Sequence, residues 1–147
     1  MFVLQGVDGD LPSTHLDEFA VMVNSGGSAN LLMVAALVYT GQLTRGDTVA
    51  VPAVSWNTQD GTVEQLYMAI KVVDVDDSMN IDPAEIGDCN AIFGVNLLGN
   101  PMDVERLPHM LMIEDNCESL GATYHGHKTG TWGAMGSHSL FFSHHMS

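Results

Sequence analysis

Six short apolar runs recur along the chain, at residues 20–23, 47–54, 71–76, 91–97, 110–115 and 137–142. Each has the length of a strand, and none approaches the roughly 20 apolar residues that a membrane-spanning helix needs. Between them lie stretches suited to helices. Residues 29–40 are rich in Ala, Leu and Met, and Gly41 follows as a stop signal. Residues 64–70 read as a second helix, and 83–86 as a single helical turn. Apolar runs alternating with helical segments predict an α/β fold, a mostly parallel sheet flanked by helices on both faces. Residues 1–19, with Asp8-Gly9-Asp10 and Leu11-Pro12-Ser13 in turn-like order, read as an irregular arm with a short segment at 16–19. Residues 20–147 read as one domain. The stretch 99–109 leaves little more than the minimum of about 10–12 residues for a parallel crossover.

Charge narrows the function. Four basic residues (Arg45, Lys71, Arg106, Lys128) stand against eighteen acidic ones, a net charge of −14. A nucleic-acid binder needs clustered cations to displace phosphate counterions, so no nucleic-acid partner is expected. An anionic membrane surface is disfavoured on the same ground. Cys89 and Cys117 form no disulfide framework. The opening Met1-Phe2-Val3-Leu4-Gln5 carries no basic, apolar-core leader pattern. These features together predict a cytoplasmic protein.

Four constellations carry possible chemistry. Asn24-Ser25-Gly26-Gly27-Ser28, between a strand and a helix, places free N–H groups and a positive dipole end together, a cradle for phosphate. A capped strand-to-helix turn explains the same residues equally well. Asp115 ends an apolar strand, where open α/β sheets bind ligands, and suits a cationic ring nitrogen or a helix cap. Trp56 follows another strand end and can stack on a flat heterocycle, although a lone Trp more often packs in a core. Ser139 and His144, near Phe141-Phe142 and His145, supply a hydroxyl donor and an imidazole base. A metal centre could draw on Asp115, Cys117, His125, His127, His138, His144 and His145. It lacks paired ligand spacing, so no metal is expected.

In this order these pieces resemble the DegT/DnrJ/StrS sugar aminotransferases. The matching stretches are 21–32, 46–56, 72–82, 96–103 and, most specifically, 113–146 (IEDNCESLGATYHGHKTGTWGAMGSHSLFFSHHM). The resemblance implies part of the large domain of a type I pyridoxal-phosphate transferase fold, with the family's carboxy-terminal portion lying outside the matched stretch. It also implies a homodimer and an anionic nucleotide-sugar substrate. Gly26, Gly27, Ser28 and Ser139 would hold the phosphate of pyridoxal 5'-phosphate or pyridoxamine 5'-phosphate. Trp56 would stack on the ring, and Asp115 would pair with its protonated nitrogen. Glu118 would stand near the ring hydroxyl, where the family usually has Gln. Five residues beyond Ser139, where the family carries its tethering lysine, this chain has His144. That histidine resembles the 3-dehydratase branch, which acts on a nucleotide-linked 4-keto-6-deoxyhexose and uses imidazole as the base. Transamination, and an inactive family member serving as a binding module, are the alternatives.

Overall fold

The computed structural model describes residues 2–6 and 19–144, with only the backbone described for 2–6 and 19. In chain order the elements are β1 (Phe2–Gly6), β2 (Phe19–Val23), α1 (Gly26–Tyr39), β3 (Thr48–Pro52), α2 (Thr58–Gln65), β4 (Ala69–Val73) and β5 (Ala91–Val95). They continue with a 3-10 turn (Leu97–Gly99), β6 (Leu111–Asn116), β7 (Thr123–Tyr124), β8 (His127–Lys128) and β9 (Met135–Ser139). Seven strands form one sheet in the order β2-β1-β9-β6-β5-β3-β4. The five from β9 to β4 run parallel, and β1 lies antiparallel between β9 and β2. The mostly parallel α/β sheet is therefore as expected.

Helix α1 starts where Ser25 caps it, its hydroxyl accepting from the Ser28 N–H at 3.1 Å. Such a cap is worth about 1 kcal/mol. The helix ends at Thr40, whose N–H reaches the Ala36 carbonyl, and Gly41 then takes a left-handed φ of 75°. Met33, Val34 and Leu37 pack with Val63 of α2 onto Val49 and Val51 of β3, Phe93 of β5 and Ile113 of β6. Neighbouring strand residues point the other way. Ala50, Val73 and Ile92 face a second cluster with Ile81, Ile86, Met102 and Leu107.

That second cluster corrects one expectation. Among the described residues helices cover one face only, and the opposite face is closed by the connections 74–90 and 96–110, which contain no α-helix. Their apolar residues insert singly from turns, so the short crossover at 99–109 needs no helix. The irregular arm is a second correction: residues 2–6 form β1, whose backbone pairs with strands on both sides. The segment 16–19 lies outside the described residues except for Phe19, which opens β2. The second helix is displaced, spanning Thr58–Gln65 rather than 64–70. Tyr67 adopts a left-handed φ of 61°, and Ala69 and Ile70 pair with Thr48 and Val49 instead. At 83–86 there is a turn, closed by the Glu85 N–H on the Asp82 carbonyl at 3.1 Å. No helix among the described residues is long and apolar enough to cross a membrane.

Candidate active site

Strand register brings distant residues to one edge of the sheet. Asp115 pairs with Val95 on one side and Ser137 on the other. Phe2 pairs with both Val23 and Ser139, so the turn entering α1 leaves the sheet at the same edge as Ser139. Trp56 and the 97–99 turn follow the carboxyl ends of β3 and β5. This is the edge where parallel sheets accept ligands.

Trp56, Asp115, Glu118 and His144 line one cleft there, together with Gln59 and Cys117. His144 is half-buried in the turn after β9, its N–H on the Phe141 carbonyl at 3.0 Å. Its ring stands edge-on to Phe141, centroids 5.3 Å apart. His144 thus lines the cleft that holds Asp115. Trp56 is 67% exposed, so it is no core residue. Its indole face remains available for stacking. The Glu118 carboxylate accepts from the Leu98 N–H at 2.9 Å. That bond fixes a turn in which Leu98 and Gly99 both have positive φ. His145 lies outside the described residues.

The cradle residues share the edge but do not line the cleft. Gly26 and Gly27 precede the first intrahelical bond, from the Ala29 N–H to the Ser25 carbonyl at 3.0 Å, so their N–H groups are helix-start donors. A Cβ on Gly27 would meet only ordinary contacts, at 3.7 Å to Thr58 and 3.9 Å to Ser25. Nothing among the described residues therefore requires glycine there. Ser28 is engaged internally: its N–H bonds Ser25, and its hydroxyl donates to Asn24 at 2.7 Å. Ser139 is buried and its hydroxyl accepts from the Phe141 N–H at 3.0 Å, keeping its own proton to donate.

Asp115 is held by side chains that local pattern did not identify. Its Oδ2 accepts from Asn30 at 2.8 Å and from Gln59 at 2.5 Å. Its Oδ1 accepts from the Cys117 N–H at 3.0 Å and faces the Ser137 hydroxyl at 3.4 Å. Donors alone surround this acceptor-only group. Asn30 is the one polar side chain between residues 29 and 39 of α1, a signal in hindsight. Gln59 and Ser137 carry no comparable mark. Burial, followed by the charge of Asp115, pushes the Cys117 thiol well up, which keeps it a neutral wall of the cleft rather than a nucleophile.

Behind the site, Glu114 points to the other face of β6. Its Oε1 accepts from the N–H groups of Trp132 and Gly133, and its Oε2 from that of Gly130, each at 2.8 Å. Asn96 adds a bond at 3.2 Å and itself accepts from the Met102 N–H at 2.8 Å. This buried network ties together the loops before β9 and after β5. A larger apolar cavity, about 390 Å³, opens near Leu111 at the other end of β6, beside Trp132, and contains none of the expected site residues.

The residues fit a phosphorylated, cationic heterocycle by chemistry. Helix-start amides, an exposed indole, a buried carboxylate and an imidazole meet at one edge. Comparison with known proteins agrees. The chain is 42% identical over 148 aligned positions to GDP-4-keto-6-deoxy-D-mannose 3-dehydratase of Escherichia coli O55:H7, covering 91% of this chain and 38% of that protein. It is 43% identical to the Yersinia pseudotuberculosis protein of the same name, covering 88% and 37%. A solved E. coli GDP-4-keto-6-deoxy-D-mannose-3-dehydratase with bound hydrated PLP superimposes with a TM-score of 0.81 at 43% identity, over 88% of this chain and 37% of that one. The chain thus spans a little over a third of the length of these relatives. Residues 9–147 match the sequence profile of the DegT/DnrJ/EryC1/StrS aminotransferase family, and the chain belongs to that family.

Proposed function

We propose that this chain carries the cofactor-binding part of a nucleotide-sugar 3-dehydratase that uses pyridoxamine 5'-phosphate or pyridoxal 5'-phosphate and acts on a 4-keto-6-deoxyhexose. The supporting observation is the imidazole of His144 in one cleft with Asp115 and Trp56, with no lysine lining it. The chain's two lysines are elsewhere. Lys71 on edge strand β4 donates to the Ile86 carbonyl at 2.5 Å, and exposed Lys128 sits in the β7–β8 hairpin. The relatives named above are 3-dehydratases, which favours this reading over transamination.

In this reading the amides of Gly26 and Gly27 and the hydroxyl of Ser139 hold the phosphate, joined by the Ser28 hydroxyl when it exchanges its bond to Asn24 for one to the ligand. Trp56 stacks on the ring and excludes water from one of its faces. Asp115 keeps the ring nitrogen protonated, and Glu118 stands by the ring hydroxyl. When bound, the cofactor supplies an amine conjugated to an electron sink. His144 would stand beside that group as the general base, holding the proton that this chemistry releases. A homodimer in the cytoplasm completes the proposal.

The test is borohydride reduction of the protein loaded with pyridoxal phosphate, followed by mass spectrometry. The wild type should bind the cofactor and show no covalent adduct, and His144→Lys should acquire one at position 144. An adduct on Lys71 or Lys128 of the wild type would overturn the dehydratase assignment. So would a His144→Lys protein that binds the cofactor without linking to it.

A further inference from the structure

One oxygen of the carboxylate at the centre of the cleft is already fully engaged. Each carboxylate oxygen offers about two lone-pair sites. Asn30 and Gln59 take both on Oδ2, while Oδ1 has the Cys117 N–H and only a share of the Ser137 hydroxyl proton, which lies closer to the Asn30 carbonyl. A further donor arriving at Oδ2 finds no open site there.

The four donors are not equally fixed. Asn30 is wholly buried in α1, and its carbonyl oxygen accepts from Ser137 at 3.1 Å while its amide also reaches Thr58 at 3.4 Å. The Cys117 donor is backbone. Gln59 is 1% exposed and is tied at one end only. Its Nε2 bonds Asp115, but its Oε1 is buried with no hydrogen-bond partner. A buried carbonyl without a donor is unfavourable, so this pose is strained and easily left. Of the four donor residues, only Gln59 and Cys117 line the cleft. The cleft itself measures about 30 Å³, roughly one water's share of liquid volume, so an aromatic ring enters only if a wall residue moves.

We propose that Gln59 is a displaceable placeholder. It occupies Asp115 Oδ2 until a ligand with a cationic ring N–H enters, then yields that oxygen and turns its amide out of the cleft. This inference rests on the cofactor reading above and makes Gln59 a positioning residue whose hydrogen bond competes with the ligand.

Competition has a distinctive sign. Gln59→Met preserves length but cannot donate, so pyridoxamine phosphate should bind about tenfold more tightly than to the wild type, a fair share of one hydrogen bond to a charged group. The 1-deaza analogue, with a ring C–H in place of the nitrogen, should show no such gain. If Gln59→Met does not fold, Gln59→Asn, whose shorter amide falls short of Oδ2, gives the same comparison. Unchanged or weaker binding of pyridoxamine phosphate overturns the placeholder, as does an equal gain with the 1-deaza analogue. Failure of the wild type to bind pyridoxamine phosphate at all overturns the cofactor reading, and this inference with it.

Discussion

Gly27→Ala separates what the fold needs from what a bound phosphate needs. The added Cβ would sit 3.7 Å from its nearest neighbour, on a backbone with no left-handed φ. The fold therefore accepts it without strain. Glycine in a helix costs roughly 0.5–1 kcal/mol relative to alanine, and the first-turn position argues for the lower end. The ligand-free variant should gain about 0.5 kcal/mol, which for a chain of this size is about 1–2 °C in melting temperature. The same methyl group lies beside the helix-start amides that would face the phosphate. Isothermal titration with pyridoxamine phosphate should then show affinity falling about tenfold, or about 1.4 kcal/mol. Stability and binding move in opposite directions. A destabilised ligand-free variant would refute the steric argument, and unchanged affinity would refute the assignment of the cradle to phosphate.

Two further changes test the supporting structure. Burial pushes the Glu114 carboxyl above its ordinary value of 4.5, so the folded state holds a proton there more tightly than the unfolded chain does. That contribution is greatest below the ordinary value and is lost as pH rises through the raised one. As pH rises above the ordinary carboxylate range, denaturant midpoints should therefore fall more steeply for the wild type than for Glu114→Gln, and equal slopes would contradict this. Gly136→Ala would place a Cβ 2.6 Å from the Gly130 carbonyl oxygen and should cost about 1–3 kcal/mol by chemical denaturation. Gly61→Ala in α2, with nothing within 4 Å of the added atom, should be neutral or stabilising, and the reverse ranking would refute the packing argument.

What could be read from the chain depended on how local the cause was. Asp115, Trp56 and His144 stand just past apolar runs, and a parallel sheet gathers strand ends at one edge, so their convergence followed from order alone. Asn30 and Gln59 gain their meaning from Asp115, 85 and 56 positions away, a relation that periodicity does not carry. The shift of α2 has the same origin. Leu66-Tyr67-Met68 suits a helix locally, but pairing of Ala69 and Ile70 with β3 settles the matter across the sheet. Strand β1 was missed because a five-residue segment shows its character only through the neighbours it acquires.

The position of β1 has a consequence for how a phosphate would be held. Among the described residues of the sheet β2 pairs only with β1, and β1 joins it to β9. The jaw that would grip a phosphate therefore has one side rooted in β2 and the other in β9, with residues 2–6 as the rivet between them. A substitution that breaks the pairing of that strand would loosen the grip at a point remote in sequence from every residue that would touch the ligand.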